Sequence, residues 1–214
     1  MDYNILKSGS KGNAVIINGC IMIDCGVPYR LISPYADKLK IVLLTHIHGD
    51  HFKPTTVGKL AAMRPTLRWA CGCWMVSKLV TAGVDKRNID ILPMGCINNY
   101  RLFKVKAIPT KHDVPNCAYK IAMDGERLFY ATDLNTLEGI EAKGYDLYML
   151  EANYEEDEIR ERIARKEAAG EYAYERNVLN NHLSYEKASE WLFNNMGNNS
   201  KHIFVHIHEE AQDE

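Results

Sequence analysis

The segment Ile41-Val42-Leu43-Leu44-Thr45-His46-Ile47-His48-Gly49-Asp50-His51 joins two kinds of sequence. Its four leading residues are apolar and read as a short buried strand. Directly after them, three histidines and one aspartate fall within six residues, 46 to 51. The cluster therefore stands where a strand ends and a loop begins, which is where sites form in layered α/β proteins. His46 and His48, two apart on an extended backbone, project to one side and can share an ion. Gly49 lets the chain turn, so Asp50 and His51 can aim at a second ion nearby. Neutral imidazole suits zinc, and a carboxylate suits zinc, manganese or iron. A lone histidine is an ordinary surface or core residue. Four potential ligands in His-x-His-x-Asp-His order mark a metal site.

Outward from this segment, short apolar runs alternate with turns and helical stretches. Tyr3 to Leu6, Ala14 to Ile17 and Cys20 to Asp24 read as strands, with Asn18-Gly19 a two-residue hairpin turn. Further strands are expected at Leu67 to Ala70, Ile89 to Leu92, Arg101 to Ile108, Tyr119 to Met123, Glu126 to Ala131, Asp146 to Leu150 and Lys201 to Ile207. Helices are expected at Pro28 to Lys38, Pro54 to Met63, Trp74 to Ala82, Asn135 to Lys143, Tyr154 to Ala169 and Ser184 to Asn195. In the fifth of these, Glu156–Arg160, Glu158–Arg162 and Glu161–Arg165 are i,i+4 pairs in the favourable order, as on a solvated face. Ser8 to Asn13 is glycine-rich but lacks a P-loop ending and reads as a tight turn. Periodicity alone gives an α/β chain with no internal boundary, so residues 1–214 are expected to form one domain.

Composition narrows the class of function. Apolar residues make up 46% and charged residues 25% of 214, as in an ordinary globular protein. The formal charge of −2 provides no global field for a long grip on duplex nucleic acid. No basic, apolar leader opens the sequence and no apolar run is long enough to span a bilayer. Six cysteines then read as reduced thiols, Cys71-Gly72-Cys73 among them, and a cytoplasmic protein is expected.

The motif resembles the signature of the metallo-β-lactamase superfamily, and other segments fit that pattern in order. Ile21-Met22-Ile23-Asp24 matches its upstream strand ending in aspartate, Thr110-Lys111-His112 its isolated histidine, Thr132-Asp133 its bridging aspartate, and Phe204-Val205-His206 its last histidine. The resemblance implies an αββα sandwich: two mixed sheets packed face to face with helices outside. It implies that His46, His48 and His112 hold one divalent ion, that Asp50, His51 and His206 hold a second, and that Asp133 bridges them. Zinc is the expected metal, with manganese or iron as alternatives. Asp24 would orient a ligand or the motif loop. Two such ions lower the pKa of a shared water, so that hydroxide rather than a side chain is the nucleophile. At the C-terminal end, His206-Ile207-His208 stands where the branch discussed next has His-Leu-Ser. Either histidine can be the ligand, and His206 is preferred because it ends the apolar strand. His202 reads as solvent-facing.

Asn181-His182-Leu183-Ser184 resembles the extra histidine of tRNase Z-type phosphodiesterases and of YycJ-like (WalJ) exonucleases. On that resemblance His182 contacts the scissile phosphate or protonates the leaving oxygen, Glu151 orients His182, and Asp50 belongs to the catalytic centre. No long tRNA-gripping arm is apparent. Glu171 to Arg176, with Tyr172 and Tyr174, is either a lid that stacks a base or a locally packed segment. The resulting expectation is a dinuclear phosphodiesterase acting on nucleic acid or nucleotides, exonuclease-like. The rival within the same chemistry is cyclic-nucleotide hydrolysis, as in phage anti-defence enzymes. Thioester or lactam hydrolysis and a non-catalytic binding role are weaker alternatives. A homodimer is expected by analogy with the family.

Overall fold

The computed structural model of the chain describes residues 1–207. Twelve strands among them form two sheets of six, each in chain order. The first contains β1 (Tyr3–Lys7), β2 (Ala14–Ile17), β3 (Ile21–Ile23), β4 (Ile41–Leu44), β5 (Arg68–Cys71) and β6 (Ile89–Ile91). The second contains β7 (Ile97–Asn99), β8 (Lys104–Thr110), β9 (Asn116–Met123), β10 (Glu126–Ala131), β11 (Leu147–Glu151) and β12 (Lys201–Val205). Both sheets begin as antiparallel meanders and continue as parallel strands, β3 to β6 in one and β10 to β12 in the other. The helices are α1 (Tyr29–Ile32), α2 (Pro54–Met63), α3 (Val76–Thr81), α4 (Glu156–Ala168), α5 (Glu175–Asn181) and α6 (Tyr185–Asn195).

Strands such as Ile41–Leu44 are apolar at every position because both faces are covered. Val42 and Leu44 pack outward with Ile32 of α1, Val57 and Leu60 of α2 and Leu79 of α3. Ile41 and Leu43 point the other way and meet Tyr119, Tyr130 and Met149 of the second sheet. On the far side of that sheet, Phe129, Ala131, Tyr148 and Leu150 pack against Ala188 and Leu192 of α6. The order is helix, sheet, sheet, helix, the metallo-β-lactamase fold. Leu43 is fully buried between the sheets, so truncating it to alanine should cost ~2–5 kcal/mol.

The local expectations differ from the structure in instructive places. The helix expected over Pro28 to Lys38 covers only Tyr29–Ile32 and then breaks into turns. Asn135 to Lys143 is not helical at all. Its polar groups bond to distant partners: Asn135 N to the Lys111 carbonyl, Ala142 N to Asn195 Oδ1, and the Ile140 carbonyl to Trp191 Nε1. Tertiary hydrogen bonds have replaced the i→i−4 ladder there. The strand expected from Arg101 begins at Lys104 and runs to Thr110. Neither β7 nor α5 was apparent from the sequence pattern. No described helix is long and apolar enough to cross a membrane, and all six cysteines are free thiols.

Candidate metal centre

Polar residues gather at the C-terminal ends of the parallel strands of both sheets. Asp24 follows β3, the motif follows β4, Asp133 follows β10, Glu151 ends β11 and His206 follows β12. His112 follows β8, which runs parallel to β10 because β9 reverses between them. Three of these residues adopt left-handed backbone conformations that non-glycine residues rarely enter: Asp24 at φ 60°, Asp133 at 55° and His206 at 54°. Such strain persists where surrounding structure over-determines it, as at functional sites. Each strand end thereby turns its side chain into a common space.

The motif loop is held by close backbone contact. Asn13 N donates to the Asp50 carbonyl at 2.6 Å, Cys25 N to the His51 carbonyl at 2.8 Å, and Gly26 N to the Asn13 carbonyl at 2.9 Å. Gly26 lies so near the Asp50 peptide that a Cβ there would stand 1.6 Å from the Asp50 carbonyl oxygen. No larger residue fits. Fully buried Asp24 accepts from Thr45 N and Thr45 Oγ1, both at 2.9 Å, and from His51 Nδ1 at 2.7 Å. That fixes the His51 ring so that Nε2 faces Asp133 Oδ2 at 2.9 Å and Asp50 Oδ2 at 3.4 Å.

One cluster comprises His46, His48 and His112, whose ring nitrogens lie within 4.8 Å of one another. His112 Nδ1 donates to the Asn181 carbonyl at 3.1 Å, leaving Nε2 turned inward, 3.3 Å from His48 Nδ1. His46 is fully buried, its Nδ1 3.0 Å from Thr45 Oγ1, and its Nε2 has no hydrogen-bond partner among the described residues. A buried nitrogen without a partner forfeits its hydration, ~1–3 kcal/mol, unless something ligates it. That orphaned lone pair, between two other imidazoles, fits a cation. Burial and the neighbouring His51 push the His46 pKa down to about 2, and burial also lowers that of His112. These rings are neutral and ready to ligate.

The second cluster comprises Asp50, His51 and His206. His206 Nε2 stands 3.3 Å from Asp50 Oδ2 and 3.5 Å from Asp133 Oδ1. Burial opposes its protonation, but Asp133 and the hydrogen bond it donates to Asp50 raise its pKa to about 10. The same contest raises His51 well above its ordinary value, through Asp133 and Asp24. Asp50 and Asp133 are correspondingly held below the usual carboxylate range, against the upward push of burial. Asp133 touches both clusters, with Oδ2 on His51 and Oδ1 3.9 Å from His112 Nε2. All seven residues expected to hold metal thus converge, and their His/Asp clusters could hold metal ions.

His182 and Glu151 lie against the same space. His182 Nδ1 is 2.6 Å from Glu151 Oε1, and its ring stacks on His206 at 5.3 Å between centroids. Fully buried Glu151 also accepts from Leu134 N at 2.9 Å and approaches His206 Nδ1 at 3.3 Å. Burial lowers the His182 pKa, but its hydrogen bond to Glu151 outweighs this and raises it. His202 is exposed and rests on Phe204, whereas His208 lies outside the described residues.

Several residues that position this site carry no such role in the sequence reading. Asn13 Nδ2 lies 2.8 Å from His51 Nε2, Ser8 Oγ accepts from His206 N at 2.7 Å, and Asn153 Nδ2 donates to the His206 carbonyl at 2.8 Å. Asn116 Nδ2 donates to the carbonyls of Thr132 and Asp133 at 2.9 and 2.6 Å. Ser8 and Asn13 sit in the glycine-rich turn, the one signal that pointed towards them. In the segment weighed as a lid, Tyr172 is exposed and its hydroxyl accepts from Asn177 Nδ2 at 3.2 Å. Tyr174 packs beneath Lys166.

Among solved structures, human tRNase Z, short form, is similar with a TM-score of 0.73 at 15% identity, covering 99% of this chain and 94% of that one. The metallo-β-lactamase fold protein YhfI from Bacillus subtilis gives 0.72 at 15% identity, covering 97% and 86%. Zinc-bound PqqB from Methylobacterium extorquens gives 0.66 at 12% identity, covering 97% and 89%. At these identities the likeness shows the fold. No protein of curated function matches the chain in sequence. Residues 20–207 match the beta-lactamase superfamily domain, and the chain belongs to that family.

Proposed function

We propose that the chain, acting as one domain over residues 1–214, is a dinuclear metal-dependent phosphodiesterase that hydrolyses nucleic acid or nucleotides. The observation that carries the reading is the His182–Glu151 pair, 2.6 Å apart at the edge of the two ligand clusters. His46, His48 and His112 would hold one divalent ion and Asp50, His51 and His206 the other, with Asp133 between them. Zinc suits this imidazole-rich donor set best, with manganese or iron as alternatives. Bound there, the ions would activate a water and neutralise charge on a phosphodiester.

The chain's own residues do the rest. Glu151 accepts the Nδ1 proton of His182, which sets the ring's orientation and leaves Nε2 available to the substrate. The same carboxylate favours the protonated ring, raising its pKa against the opposing effect of burial, and in that form Nε2–H would pass its proton to the departing oxygen. Leu134 N holds the second Glu151 oxygen, which keeps this acid aligned. The similarity in fold to tRNase Z supports phosphodiester chemistry, and the motifs around His182 favour the YycJ-like branch. Cyclic-nucleotide hydrolysis is the alternative substrate within this mechanism.

Purified protein supplied with zinc or manganese should hydrolyse bis-p-nitrophenyl phosphate. Parallel assays on single-stranded DNA, RNA and cyclic mononucleotides then select the substrate. His182→Ala should lower turnover ~10²–10⁴-fold with metal content unchanged. Cleavage of a thioester alone would overturn the reading. Loss of metal in the variant would instead place His182 among the ligands, with Asp133, Glu151 and His206 beside it.

A further inference from the structure

A cavity of about 400 Å³ opens between α4, α5 and the ends of β11 and β12. Its volume falls in the range of small-molecule sites. Tyr154, Tyr174, Tyr185 and Phe204 supply aromatic walls, with the Tyr185 and Phe204 rings 5.0 Å apart. Among the described residues, three carboxylates, of Glu155, Glu158 and Glu175, line it against one cation, Arg162. Arg162 is itself paired with Glu158 at 3.3 Å.

The chemistry of the wall is already demonstrated by the chain's own Lys166. Its ammonium bonds Glu175 Oε1 at 2.6 Å and sits 4.1 Å over the Tyr174 ring centroid. Carboxylate and aromatic face together are what a desolvated organic cation requires. Glu175 is only 3% exposed, and its other oxygen, Oε2, has no partner among the described residues. A buried carboxylate oxygen without a donor is costly, and a ligand carrying N–H groups would satisfy it.

We propose that this cavity binds a small organic cation, a primary ammonium or guanidinium with an aliphatic stem. The stem lies along Tyr185 and Phe204, and the cationic head meets Glu175 and Glu158. The site is separate from the metal centre, although Asn153 lines the cavity and also bonds the His206 carbonyl.

Calorimetric titration of the zinc-loaded protein with butylguanidinium, against the uncharged isostere butylurea, tests this. Butylguanidinium should bind with a Kd below ~1 mM and at least about tenfold more tightly than butylurea. Tyr174→Leu and Glu158→Gln should each weaken it about tenfold, with circular dichroism and phosphodiester hydrolysis unchanged. Glu175→Gln should abolish the preference for charge. Because it also breaks the Lys166 pair, the other two variants guard against misfolding. Absence of binding up to ~10 mM, equal binding of the urea, or indifference to both Tyr174→Leu and Glu158→Gln overturns the proposal.

Discussion

The two ligand clusters are built from similar residues but stand in opposite electrostatic conditions. His46 and His112 are surrounded by other imidazoles and burial, which hold them neutral, His46 down to about 2. His51 and His206 face Asp24, Asp50 and Asp133, which hold protons on them, His206 up to about 10. A ligand must give up its proton before it binds metal. The first cluster is therefore ready for a cation, whereas the second must exchange protons for one. The difference teaches that the two halves of the site should load unequally.

Gly26→Ala should have the largest effect, because it attacks the backbone contact on which the second cluster rests. The added Cβ would lie 1.6 Å from the Asp50 carbonyl oxygen, so the Asp50–His51 turn must move away. A loss of ~4 kcal/mol or more is expected, read as a fall in thermal midpoint together with loss of an ion. Wild-type stability would show that the loop tolerates displacement and that the contrast between clusters is not set by this packing.

Asp24→Asn should be milder and selective. It removes the charge that holds His51 Nδ1 at 2.7 Å within a fully buried pair. Affinity for one ion should drop ~10–100-fold, with the other retained, measured by competition with a chelator of known affinity. Equal weakening of both ions would deny that the clusters are independent.

The smallest effect is one of pH. Histidines with raised pKa values favour the metal-free form as pH falls, since their protons must be displaced. His46, already neutral, adds no such dependence until far lower pH. Lowering the pH to about 6 should thus release one ion before the other, and loading at neutral pH should release protons. Calorimetry in buffers of different ionisation enthalpy measures that release, which should diminish as pH approaches about 10. Simultaneous loss of both ions with no proton release would remove the asymmetry.

What the sequence disclosed follows the same division. Residues 46–51 are legible because the ligands are contiguous and strand geometry alone aims His46 and His48 together. Asp133 and His206 are single residues after apolar runs, and only resemblance to a family marks them. The roles of the residues that hold them were not readable because their partners are remote in sequence: Ser8, in the glycine-rich turn, meets His206 across 198 positions. The sheets were largely readable from apolar runs such as Leu147–Leu150. Asn135 to Lys143 misled because composition there suggests a helix while tertiary hydrogen bonds claim its backbone. Glu175–Asn181 was hidden because its seven residues bury mainly one polar side chain, Glu175.

Metal stoichiometry bears most directly on the whole account. Protein saturated with zinc, desalted and analysed by plasma mass spectrometry should carry about two ions per chain, as a two-metal site requires. His112→Ala and His206→Ala should each reduce this to about one. A wild-type chain that retains no zinc, or a content unchanged in both variants, would contradict it.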